Sequence, residues 1–324
     1  KSNTDSDAND ISLTGNGIAV TLINAGAAGD VTLKAGTGAV TQDTTTDNDD
    51  VTADVLTANA ATGIDLDTTI TSADLTVSGA GNIILDEKDA VTLTEVDTND
   101  GLITVTTGGA IVATKVVSGG TTQNISLSSA SGKVTGTEVK ASGAMSITAS
   151  SGEVELVDID TVDGSITVTA TGAITATDVK SNTDSDANDI SLTGNGIAVT
   201  LINAGSLGDV TLKAGTGAVT QDGTDDKDDV TADVLTADAT TGINLDTTVA
   251  SSDLSVAGTG TIIIDEFDAI VLSDLDTTNG IINVTSAGAM TATDVQTVTN
   301  NNISLTTTVG DVTGVGTVSA GTGN

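Results

Sequence analysis

The chain has 324 residues without a single Cys, His, Trp, Tyr or Pro, and it sets 45 acidic residues against 9 basic ones, a formal net charge of −36. Catalytic nucleophile–base pairs usually need His, Cys or a perturbed Lys, and nucleic-acid binding depends on clustered Lys and Arg. The composition therefore argues against an enzyme and against a nucleic acid as partner. Divalent cations are the small partners that such a charge favours.

Phe267 is the one aromatic residue, although hydrophobic residues make up 37% of the sequence. This apolar content is too high for a solvated, disordered chain. A core built without aromatic rings indicates a thin interior of constant width. No apolar run approaches the roughly 20 residues of a membrane-spanning helix, so we expect no membrane insertion.

A long repeat divides the sequence. The segment 1–26 recurs unchanged at 180–205, and 29–43 recurs at 208–222, so both pairs differ by 179 in residue number (180 − 1 and 208 − 29). We therefore predict a first copy at 1–179 and an incomplete second copy at 180–324, continuous with the first. Because residue 1 lies within a motif and residues 1–25 lack a signal-peptide pattern, we expect targeting and anchoring segments to lie elsewhere in a longer protein.

A shorter period inside each copy predicts strands in chain order. Asp-Ile-Ser-Leu at 10–13, Asp-Val-Thr-Leu at 30–33 and Asp-Val-Thr-Ala at 50–53 begin successive units at a regular spacing. Later units, such as GSITVTATGAITATDV at 164–179, begin with Gly, alternate apolar and polar residues, and place another Gly eight residues on. The alternation predicts strands, and the glycines predict the bends between them.

A period of about 20 residues is typical of a solenoid, because a strand–turn–strand unit buries its apolar side only against stacked neighbours. We predict an all-β fold, a parallel β-helix with about 20 residues per coil and coils about 4.8 Å apart. The alternative is a string of tandem β-sandwich domains of the cadherin or immunoglobulin type, which normally carry a buried Trp or a tyrosine corner. The residues expected to face the core include Ile11, Leu13, Val31, Leu33, Ile166, Val168, Ile174 and Ala176.

Units such as GSITVTATGAITATDV and GDVTLKAGTGAVTQD resemble the β-helix repeats of filamentous-haemagglutinin-type adhesins and of giant bacterial β-strand-repeat surface proteins. The resemblance extends over essentially the whole chain. It implies a right-handed parallel β-helix, export to the cell surface, and a role in adhesion or matrix building.

Aspartates at the coil period are the candidate metal ligands. Three of them precede equivalent strands at regular spacing in each copy, and in a solenoid we expect each set to form a column. Carboxylates about 5 Å apart repel each other and favour a divalent cation such as calcium, while the plainer interpretation is a solvated turn in which each Asp accepts local backbone hydrogen bonds. The six residues are Asp10, Asp30, Asp50, Asp189, Asp209 and Asp229.

Other acidic groups suggest less. Asp5, Asp7 and Asn9 have the spacing of the first ligands of an EF-hand loop, but the Gly and Glu that complete such a loop do not follow. The acidic segments 43–50 and 222–229 are predicted to be exposed protrusions. Paired carboxylates can serve glycoside hydrolysis, but we assign no catalytic residue, because the acidic set recurs as part of the repeat. That set is Asp86, Glu87 and Asp89, with Asp265, Glu266 and Asp268 in the second copy.

The function expected from these observations is that of an extracellular structural shaft in a repetitive cell-surface or filament protein. Its expected partners are other copies of the chain, neighbouring surface proteins and divalent cations, with calcium as the one expected cofactor. The alternatives are a shaft that binds a ligand directly and an ice-binding solenoid. Threonine runs such as Thr167, Thr169 and Thr171 are the feature that the ice-binding alternative would use.

Overall fold

The computed structural model describes residues 9–42, 50–223 and 229–321. Within these ranges every regular element is a β-strand, and no helix has the length and apolar character needed to cross a membrane. The chain forms two compact parts, Lys1–Asp163 and Gly164–Asn324, called unit 1 and unit 2 below. The boundary between the sequence copies, at residues 179 and 180, lies inside unit 2.

Short strands separated by turns make up the described part of unit 1. The alternation of β-branched and aliphatic residues with Ser, Thr and charged residues gives each strand one apolar face. The strands are β1 (Ile11–Gly15), β2 (Ile18–Ala19), β3 (Ile23–Asn24), β4 (Val31–Ala35), β5 (Val40–Thr41), β6 (Val51–Ala60), β7 (Ile64–Ala80), β8 (Ile83–Glu87), β9 (Val91–Asp100), β10 (Ile103–Thr107), β11 (Ile111–Ser118), β12 (Ile125–Ser129), β13 (Val134–Ala141), β14 (Met145–Ala149) and β15 (Val154–Thr161).

Unit 2 has the same character. Its described strands are β16 (Ile166–Ala170), β17 (Ile174–Ala176), β18 (Val179–Ser181), β19 (Ile190–Gly194), β20 (Ile197–Val199), β21 (Ile202–Asn203), β22 (Val210–Ala214), β23 (Val219–Gln221), β24 (Val230–Ala239), β25 (Ile243–Val256), β26 (Ile262–Glu266), β27 (Ile270–Thr277), β28 (Ile282–Ser286), β29 (Met290–Thr297), β30 (Ile303–Thr307) and β31 (Val312–Ala320).

In unit 1 every described pairing is parallel and joins a strand to the next coil, so equivalent side chains stack into ladders. The inward ladder on the first side contains Leu13, Leu33, Ala58, Leu75, Val96, Val116, Val139 and Ile159. The second side stacks Ile18, Val40, Ile64, Ile83, Ile103, Ile125 and Met145. The third side includes Ile23 with Val51, and Val91 with Ile111, Val134 and Val154.

Unit 2 repeats this three-sided arrangement. Its first inward ladder contains Val168, Leu192, Leu212, Ala237, Leu254, Leu275, Val295 and Val318. Its second stacks Ile174, Ile197, Val219, Ile243, Ile262, Ile282 and Ile303. The core of each unit is therefore a set of parallel aliphatic columns.

These ladders confirm the predicted β-solenoid of stacked parallel coils, and the β-sandwich alternative is not favoured. The coil length is not constant: along the second side of unit 1 the longest coil runs from Val40 to Ile64 and the shortest from Ile64 to Ile83. Gly63 and its equivalent Gly242 adopt positive φ values of 145° and 141° just before a strand of that side, a conformation that favours glycine.

The predicted inward positions are largely confirmed. Val31, Leu33, Val168 and Ile174 are at most 1% exposed. Leu13 faces the same way but is 39% exposed, whereas its equivalent in the second copy, Leu192, is 0% exposed. The difference arises because Leu192 is covered by a coil on each side, whereas among the described residues Leu13 pairs only with Leu33.

Candidate functional site

Two of the predicted metal ligands in unit 1 do stack on each other. The backbone N–H of Asp30 donates to Asp10 Oδ1 at 3.1 Å, and Asp30 Oδ1 in turn accepts a hydrogen bond of 3.3 Å from the backbone N–H of Val55. Both aspartates are exposed. Their carboxylates therefore satisfy the backbone of the following coil, which is the turn role of Asp.

The prediction that Asp50 completes this column is wrong. Val31 pairs with Leu56, so the coil after Asp30 presents Val55 at the column position. Asp50 instead precedes the segment of β6 that pairs with Ile23, on the third side of the coil, and it is 0% exposed. The regular spacing of the Asp-Val-Thr motif misled the prediction, because this coil is longer on the first side and places Leu56, not Val51, over Val31.

Unit 2 gives the same result. The N–H of Asp209 donates to Asp189 Oδ1 at 3.0 Å, Val234 N–H donates to Asp209 Oδ1 at 3.2 Å, and Asp229 is again 0% exposed and outside the column. Partial burial is the largest cause that raises the pKa of Asp209, and repulsion from Asp189, Asp233 and Asp186 adds to it. The hydrogen bond from Val234 opposes the shift.

The third side carries a buried acidic pair that the sequence reasoning missed. In unit 2 the N–H of Asp246 donates to Asp229 Oδ2 at 3.0 Å, and these residues are 4% and 0% exposed. With its amide in the orientation that satisfies its neighbours, the Gln221 nitrogen lies 2.8 Å from Asp229 Oδ2 and 2.9 Å from Asp246 Oδ2. Asp50 and Asp67 are the buried equivalents in unit 1. One amide thus donates to both carboxylates, which offsets part of their desolvation.

Glu87, at the end of β8, is another buried carboxylate and faces the core. Glu87 is 1% exposed and accepts hydrogen bonds from Thr68 Oγ1 at 2.7 Å, from Ile70 N–H at 3.1 Å and from Asp89 N–H at 3.0 Å. Burial raises the pKa of Glu87, although these three donors favour its charged form.

Glu266 repeats the arrangement in unit 2. It is 1% exposed and accepts hydrogen bonds from Thr247 Oγ1 at 2.8 Å and from the N–H groups of Val249 and Asp268, each at 3.2 Å. Burial raises the pKa of Glu266 to about 8. Side chains along β8 and β26 alternate between the core and the outer face, which places these glutamates on the core side. Asp86 lies on the outer side, so the acidic set is divided between the two faces of the strand.

An outward carboxylate ladder distinguishes the two units. In unit 2 Asp253 pairs with Asp274, and repulsion among Asp253, Asp274, Asp276 and Asp294 adds to burial in raising the pKa of both Asp274 and Asp276. The position equivalent to Asp294 in the first copy is Lys115 (294 − 179), which forms an ion pair with Glu95. The ladder is therefore partly neutralised in unit 1 and purely acidic around Asp294 in unit 2.

Lysines balance unit 1 elsewhere as well. Lys140 Nζ lies 3.0 Å from Asp158 Oδ2 and 3.4 Å from Asp160 Oδ2, and Lys133 forms an ion pair with Glu155. Exposed pairs of this kind contribute little stability individually, about 0–1 kcal/mol. Their main effect here is on the charge that the surface presents.

Two surface grooves occupy equivalent positions in the two units. One, of about 330 Å³, is lined by residues that include Thr52, Thr69 and Asp89, and its equivalent of about 200 Å³ in unit 2 is lined by Thr231, Thr248 and Asp268. Their walls carry small side chains and hydroxyls.

Hydroxyl side chains form a regular patch on the second side of unit 1. Strands β10, β12 and β14 contain no charged residue, and their outward side chains stack in two columns. One column is Thr104, Ser126 and Ser146, and the other is Thr106, Ser128 and Thr148. The patch ends at β8, which presents Ile84 and Asp86 at the same positions.

Some predicted features lie outside the described residues: Asp5, Asp7, and the segments 43–49 and 224–228 of the acidic protrusions. In the part of the chain that the structure does describe, no group of three or more carboxylates converges on a point that would hold a metal ion. Searches against protein-family models, curated proteins and solved structures found no match to this chain.

Proposed function

We propose that this chain is a segment of an extracellular structural shaft in a repetitive cell-surface or filament protein, serving adhesion, surface-layer or matrix assembly. The observation that carries the proposal is the stacking of parallel coils within each unit, in which the aliphatic ladders of the first and second sides run from coil to coil. Such a fold extends by adding coils, and it needs no special site to hold its ends apart.

The surface supports a passive role. Its charge of −36 keeps similar chains apart except where cations or lysines intervene, and the two equivalent grooves beside Thr52 and Thr231 are lined mainly by small side chains. Location outside the cell rests on the resemblance of the repeats to those of bacterial surface proteins. Adhesion by the shaft itself would need a ligand to recognise a surface that recurs with the long repeat.

The test is to change the number of repeats in the full-length protein and to measure its reach. Proteins with one or three added copies are labelled at the distal end with gold and imaged on the cell surface. The reach should grow by roughly 43 Å for each copy, from about nine coils 4.8 Å apart. An added copy that carries an inward aspartate at its Ile166 position serves as control, because it should not stack. An unchanged reach with the unmodified copies would contradict the shaft role.

The hydroxyl patch of unit 1 favours ice binding as a second candidate. Its two columns hold six hydroxyls at the regular spacing of a parallel sheet. Thermal hysteresis of the chain should then be measurable and should disappear with Ser128→Lys at the patch, but not with Thr92→Lys on the third side. An absence of hysteresis in the parent chain would remove this candidate.

A further inference from the structure

Three Asn-Gly steps occur in the sequence, Asn16-Gly17, Asn195-Gly196 and Asn279-Gly280. At such a step the backbone nitrogen of Gly can attack the side-chain carbonyl carbon of Asn, because Gly has no side chain to block the approach. Whether the reaction proceeds depends on the freedom of the Asn side chain to bring its carbonyl carbon to the Gly nitrogen. The structure separates the three steps by the hydrogen bonds of that side chain.

The first two steps lie in equivalent exposed turns, between β1 and β2 and between β19 and β20. Asn16 and Asn195 are exposed, and within the described part of the chain neither side chain forms a hydrogen bond. Their backbones are held by the next coil, since Asn16 O accepts a hydrogen bond of 3.1 Å from Thr37 N–H and Asn195 O accepts one of 3.2 Å from Thr216 N–H. The side-chain amide is therefore free to turn while the main chain stays in place.

The third step is restrained. Asn279 Oδ1 accepts hydrogen bonds from Thr299 Oγ1 at 3.0 Å and from Asn301 Nδ2 at 3.2 Å. Gly280 is buried, and a Cβ atom there would overlap the carbonyl oxygen of Gly260. Glycine at 280 is thus required by packing, and the amide before it is engaged.

Packing does not require glycine at 17 or 196. Neither residue has a positive φ, and a Cβ atom would lie at an ordinary 3.5 Å from Ala39 O at position 17 and 3.7 Å from Ala218 O at position 196. The fold accommodates alanine at both positions, so the glycine that makes the step reactive can be replaced without strain.

We propose that Asn16 and Asn195 are sites of spontaneous deamidation and that Asn279 is not. The Gly nitrogen forms a bond to Asn Cγ, the bond from Cγ to Nδ2 breaks, and the nitrogen leaves as ammonia, which closes a succinimide. One water then opens the ring at either carbonyl and yields aspartate or isoaspartate. The balance is one water consumed and one ammonia released, with one negative charge added to the chain at each site.

The isoaspartate product also affects the stack. In unit 1 a Cβ atom at Gly38 would lie only 2.8 Å from Asn16 O and 3.1 Å from Gly17 Cα, so the turns of these two coils pack backbone against backbone. Isoaspartate inserts a methylene group into the main chain at that point. The modified turn can no longer keep the register of Ile18 with Val40, and the coil should open locally.

The test incubates the whole chain at pH 9 and at pH 6 and follows each amide by peptide mass spectrometry, with an isoaspartyl methyltransferase assay as a second readout. Conversion should appear at Asn16 and Asn195 at pH 9, with ammonia released, while Asn279 keeps its amide. Equal conversion at all three sites, or intact amides at Asn16 and Asn195, would overturn the proposal. Because this comparison is internal to one chain, it does not depend on any variant.

The double variant Gly17→Ala, Gly196→Ala should slow conversion at both sites several-fold and keep the parent melting temperature. Its matched control is Gly36→Ala, Gly215→Ala, which alters glycines of the neighbouring coil that follow Ala and have a comparable 3.7 Å contact. The control should convert at the parent rate. A variant rate equal to that of the control would show that the glycine does not direct the reaction.

Discussion

Thr247 and Glu266 lie side by side on neighbouring coils, and Thr247 Oγ1 donates a hydrogen bond of 2.8 Å to Glu266 Oε2. The bond holds a carboxyl group that is 1% exposed, and whose pKa burial raises to about 8. Three donors converge on it, yet desolvation outweighs them. This balance gives the fold a pH dependence with a definite sign.

Stability should fall as pH rises between about 4.5, the ordinary pKa of Glu, and about 8, the raised value for Glu266. In that window the folded chain binds more protons than the unfolded one, and each pKa unit corresponds to roughly 1.4 kcal/mol. Glu266→Gln should flatten the dependence, and it should stabilise the chain most at pH 8. Denaturant unfolding from pH 5 to pH 8 measures it, with the exposed Glu153→Gln as control. Parallel pH profiles for parent and Glu266→Gln would contradict the prediction.

Asp294→Lys should raise the melting temperature at low salt. The change places in unit 2 the charge that Lys115 supplies in unit 1, where it pairs with Glu95, and it removes one source of the repulsion on Asp274 and Asp276. We expect about 0.5–1 kcal/mol, the upper range for exposed pairs, declining as salt is added. Lys115→Asp should have the opposite effect. A salt-independent change in either variant would point to packing instead of charge.

Ile166→Asp should destabilise the chain by about 3 kcal/mol or more, because an unpaired carboxylate would enter an aliphatic column that offers it no partner. Ile166 is 0% exposed and pairs with Ile190 in the next coil. Thr167→Asp is the matched control, since Thr167 is the exposed neighbour on the opposite face of the same strand. Chemical unfolding compares the two, and equal effects would mean that the faces are assigned incorrectly.

Calcium should raise the melting temperature more than sodium at the same ionic strength, because carboxylates gather around Asp209 and a net charge of −36 favours uptake of divalent ions by the folded chain. The double change Asp189→Asn, Asp209→Asn should reduce this difference. It keeps the side-chain oxygens that accept the hydrogen bonds of Asp209 and Val234, so the parent stability in sodium should persist. Identical calcium responses would leave these aspartates as turn residues alone.

Gly280→Ala should cost several kcal/mol, because the added Cβ would overlap Gly260 O in the adjoining coil. Gly196→Ala, with its nearest atom at 3.7 Å, is the control and should melt within a degree or two of the parent. The melting temperatures of the two variants check the prediction. A mild effect at 280 would show that the turn can move aside.

The aliphatic ladders could be predicted from the sequence, because strict alternation fixes the face of each residue. The same rule could have placed Glu87 on the core side, since Ile83, Leu85 and Glu87 share one face of β8. Grouping Glu87 with Asp86 and Asp89 as one acidic set did not separate the two faces. The position of Asp50 could not be predicted this way. Its partner depends on the length of the coil, and a regular motif spacing does not reveal that Val31 pairs with Leu56.

The buried pair of Asp229 and Asp246 was beyond sequence reasoning for another reason. Asp229 precedes β24, Asp246 lies within β25, and their approach depends on the pairing of Val230 with Thr247. Gln221, which donates to both, comes from a third strand. A convergence of three separate segments has no signature in a single repeat.

The identity of residues 1–26 with 180–205 has a consequence for how the chain acquires its fold. Each coil recognises its neighbour through a short in-register pairing, such as that of Ile11 with Val31, and the pairing of Ile190 with Val210 joins the same residue types. During refolding, a coil can therefore pair with the equivalent coil of the wrong copy at almost no energetic penalty. We expect refolding from denaturant to include a slow phase, in which misaligned chains must unpair before they reach the native order. Synthesis from the N-terminus completes one copy before the next emerges, and it should therefore avoid this phase.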